Sequence, residues 1–248
     1  MKKYREFIVV LVILIASIIC GLYVLMTAIR NGGDFFGRQT KEVTTEATTE
    51  TKTRKKKKAV DQAYEDETIG TLLIGDSRFV GMNKALDVEN DKDRQWLVAK
   101  VGQGLGWFQD SALSSVQKIR DKNTAISKWR YVIGLGVNDL KNINNYIDEY
   151  KDLTESDDQI ELILLSVNPV DDGNSYGISN ADIKSFNKKL KEACDENGWA
   201  YIDTYSQLVE DGYSTVDGLH YENATYLKVY DYILDGLAEL GESTDAED

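Results

Sequence analysis

The sequence predicts an α/β protein with a parallel five-stranded sheet covered on both faces, preceded by an N-terminal transmembrane helix. Three observations carry this. From Thr68 onward, short apolar runs alternate with amphipathic helical stretches. Glycine-rich turns punctuate the ends of those runs, and one long uncharged apolar stretch stands near the N-terminus.

Taken in chain order, Phe7 to Ile29 supplies 23 residues without a charged side chain. As a helix it measures about 34 Å, enough for a hydrocarbon core of about 30 Å. It is too long for the apolar core of a cleaved signal peptide, no small-x-small site follows, and Ile19 before Cys20 is too large for lipoprotein processing. The expectation is an uncleaved single-pass anchor in the cell membrane. Lys2, Lys3 and Arg5 put residues 1–6 in the cytoplasm and the C-terminal body outside. Arg30, Arg38 and the basic run Arg54–Lys58 oppose that orientation, but the run starts too far from the span to weigh much.

Residues 30–66 read as a polar tether, in which Thr44-Thr45-Glu46 recurs as Thr48-Thr49-Glu50. The strands of the folded domain, residues 67–241, are expected at Thr71–Ile74, Trp96–Val101, Tyr131–Leu135, Ile160–Val167 and Ala200–Ile202. Helical spacing joins Trp107, Ala112, Val116 and Ile119, then Ile183, Phe186, Leu190 and Ala193, the latter helix ending at Asn197-Gly198. Tyr226, Tyr230, Ile233, Leu234 and Leu237 form the apolar stripe of a last helix. Residues 242–248 are an acidic tail.

Charge and cysteine usage exclude several classes of function. Residues 1–60 carry a net charge of +7 and the remainder −20, so the body repels nucleic acid. Cys20 lies in the expected span and Cys194 on the apolar face of a helix, where an inert buried thiol is expected. With one histidine and no cysteine pair in the body, no metal site and no cofactor are expected.

The chemistry gathers at the strand ends, where open parallel sheets place their sites. Gly75-Asp76-Ser77 follows the first strand, Gly102-Gln103-Gly104 the second and Gly134-Leu135-Gly136-Val137-Asn138-Asp139 the third. Asp217-Gly218-Leu219-His220, which holds the only histidine, precedes the last helix. A serine, a histidine and an aspartate able to orient it are the parts of a nucleophilic hydrolase.

In this order the blocks resemble those of the SGNH (GDSL-type) hydrolases. Gly75-Asp76-Ser77 is similar to that family's first block, Gly136-Val137-Asn138-Asp139 to its third and Asp217–His220 to its last, over roughly residues 70–240. The resemblance implies a three-layer, flavodoxin-like fold. It also implies Ser77 as nucleophile, His220 as general base and Asp217 as its orienting partner. The backbone amides of Ser77 and Gly102, with the Asn138 side chain, would form the oxyanion hole; Gly104 is the alternative glycine. Asp76 is expected to hold the turn. Arg78 is expected either as a surface charge or as a guanidinium at the rim that binds substrate. Trp107, Phe108 and Tyr176 are candidates for a substrate platform, or for core.

The implied activity is a serine esterase that removes acyl groups, O-acetyl foremost, from a cell-envelope carbohydrate. A lipase or lysophospholipase, an acyltransferase using the same residues, and a non-catalytic glycan-binding module stand as alternatives.

Overall fold

A computed structural model describes residues 68–86 and 94–244. The expected segments 1–6, 7–29 and 30–66, and residues 245–248 of the tail, lie outside the described residues. Among the described residues no helix is long and apolar enough to cross a membrane.

Five strands form the sheet: β1 (Ile69–Gly75), β2 (Gln95–Ala99), β3 (Lys128–Gly134), β4 (Ile160–Leu165) and β5 (Ala200–Ile202). Their order is β2-β1-β3-β4-β5 and every pairing is parallel. This flavodoxin-like order has its topological switch between β1 and β3, where a crevice opens beyond the strand ends.

The helices are α1 (Ser77–Leu86), α2 (Leu113–Lys122), α3 (Ile143–Ser156), α4 (Asn180–Asn197), α5 (Thr204–Asp211) and α6 (Asn223–Thr244). A short α-helical turn (Leu105–Trp107) and a π-helical turn (Phe108–Ala112) lead into α2. Side chains of β1 alternate between the two faces: Leu72 and Ile74 join one core with Val116, Tyr146, Ile183 and Phe186. Leu73 joins the other with Phe79, Met82, Leu208 and Ile233. Helices α2, α3 and α4 therefore cover one face and α1, α5 and α6 the other, giving three layers. Cys194 is buried in the first core, and burial pushes its thiol up to about 12.

Two strands differ from the sequence expectation at their ends. The second strand stops at Ala99, and Val101 is exposed, because Lys100 donates its amide to Gly75 and the chain then turns through Gly102 at φ +69°. The fourth strand ends at Leu165, where Val167 turns to exchange hydrogen bonds with the Asn187 side chain. Helix α5 appears where sequence alone marked nothing; Asp203 caps it through Ser206. Helix α6 continues to Thr244, past the expected start of the tail.

Candidate active site

Three segments far apart in sequence meet beyond the carboxyl ends of β1 and β3. Asp76 stands immediately before α1 and caps it: its Oδ1 accepts the Arg78 amide at 2.9 Å, and its carbonyl accepts Val80 N at 3.2 Å. This fixes Ser77 as the first residue of α1, where the positive end of the helix dipole favours developing negative charge on Oγ. Asp76 is buried, and burial, opposed by the nearby Arg78 charge, raises its pKa.

His220 comes from the turn before α6. Its Nε2 lies 2.9 Å from Ser77 Oγ and its Nδ1 2.8 Å from Asp217 Oδ2. Asp217 Oδ1 accepts the amides of His220 and Leu219 at 2.7 and 3.0 Å. Gly218, at φ +87°, lets the chain fold back tightly enough for those two amides to reach the carboxylate. Burial opposes ionisation of Asp217, but the His220 amide and ring, the Tyr176 hydroxyl and the Leu219 amide outweigh it. The carboxyl is held well below its usual range. Ser77, His220 and Asp217 thus form one hydrogen-bonded chain. Its shape permits proton transfer from the serine to the imidazole, with the carboxylate stabilising the resulting cation.

The loop after β2 and the turn after β3 close the other side. Asn138 Nδ2 donates to Gln103 O at 2.7 Å and lies 3.4 Å from Asp76 Oδ2. The Ser77 and Gly102 amides have no hydrogen-bond acceptor among the described residues. Gly104 has a separate reason to be glycine: a Cβ there would sit 2.4 Å from the Asp139 carboxylate.

Asp139 was given no role by sequence, yet it ties this loop down. It accepts Leu105 N at 2.9 Å, Tyr146 OH at 2.8 Å and Asn142 Nδ2 at 3.3 Å. A third-block aspartate beside the glycine loop was the available signal, but its partners are unreadable without the fold.

The rim position expected for Arg78 is corrected. The residue is 7% exposed, and its guanidinium donates to the carbonyls of Asn168 at 2.9 Å and Pro169 at 3.4 Å. It also lies over the Tyr221 ring, whose hydroxyl bonds Pro169 O. A charge this buried is kept by fixed acceptors, so Arg78 braces the loop after β4 against α1. The aromatic platform divides: Phe108 is core and Trp107 packs against it, whereas Tyr176 reaches the site and donates to Asp217 Oδ2 at 2.7 Å.

A cleft of about 630 Å3 opens beside Asn138, between the turn after β3 and the start of α4. Polar Asn142, Asp182, Ser185 and Lys189 share its walls with Leu140 and Ile178. Among the described residues, no cluster of three or more histidine, cysteine or acidic side chains is arranged to hold a metal.

No protein-family model matches the chain, and no curated protein does. Solved structures do match in fold. A GDSL-like lipase from Bacteroides thetaiotaomicron aligns over 75% of this chain and 97% of its own, at 18% identity and TM-score 0.53. The C-terminal catalytic domain of Streptococcus pneumoniae peptidoglycan O-acetyltransferase A, solved with a methylsulfonyl adduct, aligns over 72% and 96%, at 19% identity and TM-score 0.50. The fold is therefore the one these GDSL-like lipase and O-acetyltransferase structures share.

Proposed function

We propose that the chain is an SGNH-type serine esterase that removes short acyl groups, O-acetyl foremost, from a cell-envelope carbohydrate. The observation that carries this is the continuous hydrogen-bonded chain Ser77–His220–Asp217 at the switch point of the sheet. Ser77 Oγ attacks the ester carbonyl carbon while its proton passes to His220 Nε2. Asp217 holds the imidazole by Nδ1 and stabilises its cation. The carbonyl oxygen, now an oxyanion, is received by the Ser77 and Gly102 amides and by Asn138 Nδ2. Asn138 turns to it by giving up its long contact with Asp76. Collapse breaks the carbon–oxygen bond to the alcohol, which leaves with the His220 proton. Water then repeats the sequence on the acyl-serine, releasing the acid and restoring Ser77.

The substrate class rests on the mixed polar and apolar lining of the cleft beside Asn138, which suits a hydroxylated leaving group better than a lipid chain. The expected anchor at residues 7–29 and the fold likeness to a peptidoglycan O-acetyltransferase domain support an envelope glycan outside the membrane. That same likeness favours one second reading, in which a sugar hydroxyl replaces water and the chain is an acyltransferase. Aryl esters of increasing acyl length, followed by acetyl release from acetylated envelope glycan, test the proposal. Turnover should be highest with acetyl and fall steadily with chain length. Preference for long acyl chains would favour the lipase, and acetyl transfer to added glycan without net release would favour the transferase.

A further inference from the structure

We infer that Tyr176 is a positioning residue that completes the hydrogen-bond coordination of Asp217 and so extends the Ser77–His220–Asp217 chain by one hydroxyl. The inference rests on the proposed serine mechanism.

An ionised carboxylate offers about four lone-pair sites. In Asp217 all four are taken: Oδ1 by the Leu219 and His220 amides, Oδ2 by His220 Nδ1 and by Tyr176 OH at 2.7 Å. The Tyr176 ring stands edge-on to the imidazole, with centroids 6.0 Å apart. Tyr176 is nonetheless 47% exposed, so core packing does not account for its placement.

The segment that carries it is fastened directly to the Asp217–His220 turn. Asp171 N donates to Gly218 O at 2.9 Å, and the Thr215 hydroxyl bonds the Asp171 carboxylate. Within the segment, Asn174 Nδ2 bridges the carbonyls of Asp171 and Ile178, and its Oδ1 accepts Tyr176 N at 3.1 Å. The hydroxyl is thus aimed by a braced loop. A bond from a neutral donor to an ionised acceptor is stronger than a neutral pair and fixes direction as well as distance.

Removing only the hydroxyl leaves Asp217 Oδ2 with a single donor, so the carboxylate is less firmly held toward the imidazole it orients.

The test is Tyr176→Phe in the full chain, purified in detergent, with kcat and KM for an aryl acetate measured beside wild type. The expected result is a kcat about tenfold lower with KM within about twofold. Because the Tyr176 hydroxyl helps hold Asp217 below its ordinary range, the variant should also lose less stability than wild type as pH is lowered through the acid range, measured by urea denaturation at each pH. An unchanged kcat, or an acid loss of stability equal to that of wild type, overturns the inference, as does a rise in KM alone, which would make Tyr176 a substrate platform. Absence of Ser77-dependent turnover in the wild type would defeat the esterase proposal itself, while the acid stability still decides the role of Tyr176.

Discussion

Replacing Asp139 with alanine removes the acceptor of three hydrogen bonds and leaves two of their donors, Leu105 N and Tyr146 OH, on buried residues. A buried donor left without a partner costs about 1–3 kcal/mol, so the pair costs about 2–6 kcal/mol. Domains of this size are stable by about 5–15 kcal/mol, so the variant keeps a folded state at 25 °C over all but the lowest part of that range. With a urea slope of about 2 kcal/mol/M, its unfolding midpoint should fall by about 1–3 M. Leu105 closes the loop that presents Gly102, and losing one oxyanion donor costs about 2.7–4 kcal/mol in the transition state. Misplacing that donor should lower kcat by about 10- to 100-fold with little change in KM. Asp139→Asn keeps one acceptor oxygen and should fall between wild type and alanine on both scales. Urea denaturation followed by tryptophan fluorescence, beside aryl acetate kinetics at low denaturant, gives both numbers. An alanine variant with wild-type midpoint and kcat would show that Asp139 does not brace the loop.

Asp217→Asn should fold normally yet lower kcat by about 10^4, because the amide favours the wrong imidazole tautomer; steady-state kinetics checks it. The same variant tests linkage. Asp217 is held below its ordinary range in the fold, so its stabilisation is fully present above the unfolded carboxylate pKa of about 3.9 and is lost as pH falls through the folded value. Between pH 5 and 2 the wild type should therefore lose more stability than Asp217→Asn, measured by denaturation at each pH. Activity should be unchanged by EDTA, and loss on chelation restored by one divalent ion would contradict a metal-free mechanism.

The sheet was legible because its strands are buried on both faces and read as near-continuous apolar runs, such as Leu72–Ile74 and Leu162–Leu165. The hydrogen-bonded trio Ser77, His220 and Asp217 was legible because its members sit in short sequence blocks. What escaped was whatever depends on partners distant in sequence. Arg78 looked like a surface charge or a substrate-binding group at the rim because its acceptors, Asn168 and Pro169, lie some ninety positions away. Asp139 shows its work only once Leu105 and Tyr146 are folded against it. Tyr176 was marked as an aromatic, but the feature that matters is its hydroxyl, which meets Asp217 across 41 positions. Phe108 and Trp107 carried no periodicity that separates core from platform, and the π-helical turn that buries Phe108 leaves no mark in the residue pattern.

The central claim, that Ser77 is a nucleophile activated by His220, is tested most directly by labelling the chain with a fluorophosphonate and locating the adduct by mass spectrometry. The account predicts a single stoichiometric adduct on Ser77. It should be abolished in Ser77→Ala and slowed by several orders of magnitude in His220→Ala, with the double variant no more impaired in ester turnover than either single one. No labelling of a folded wild-type chain, or labelling that persists in Ser77→Ala, would contradict it.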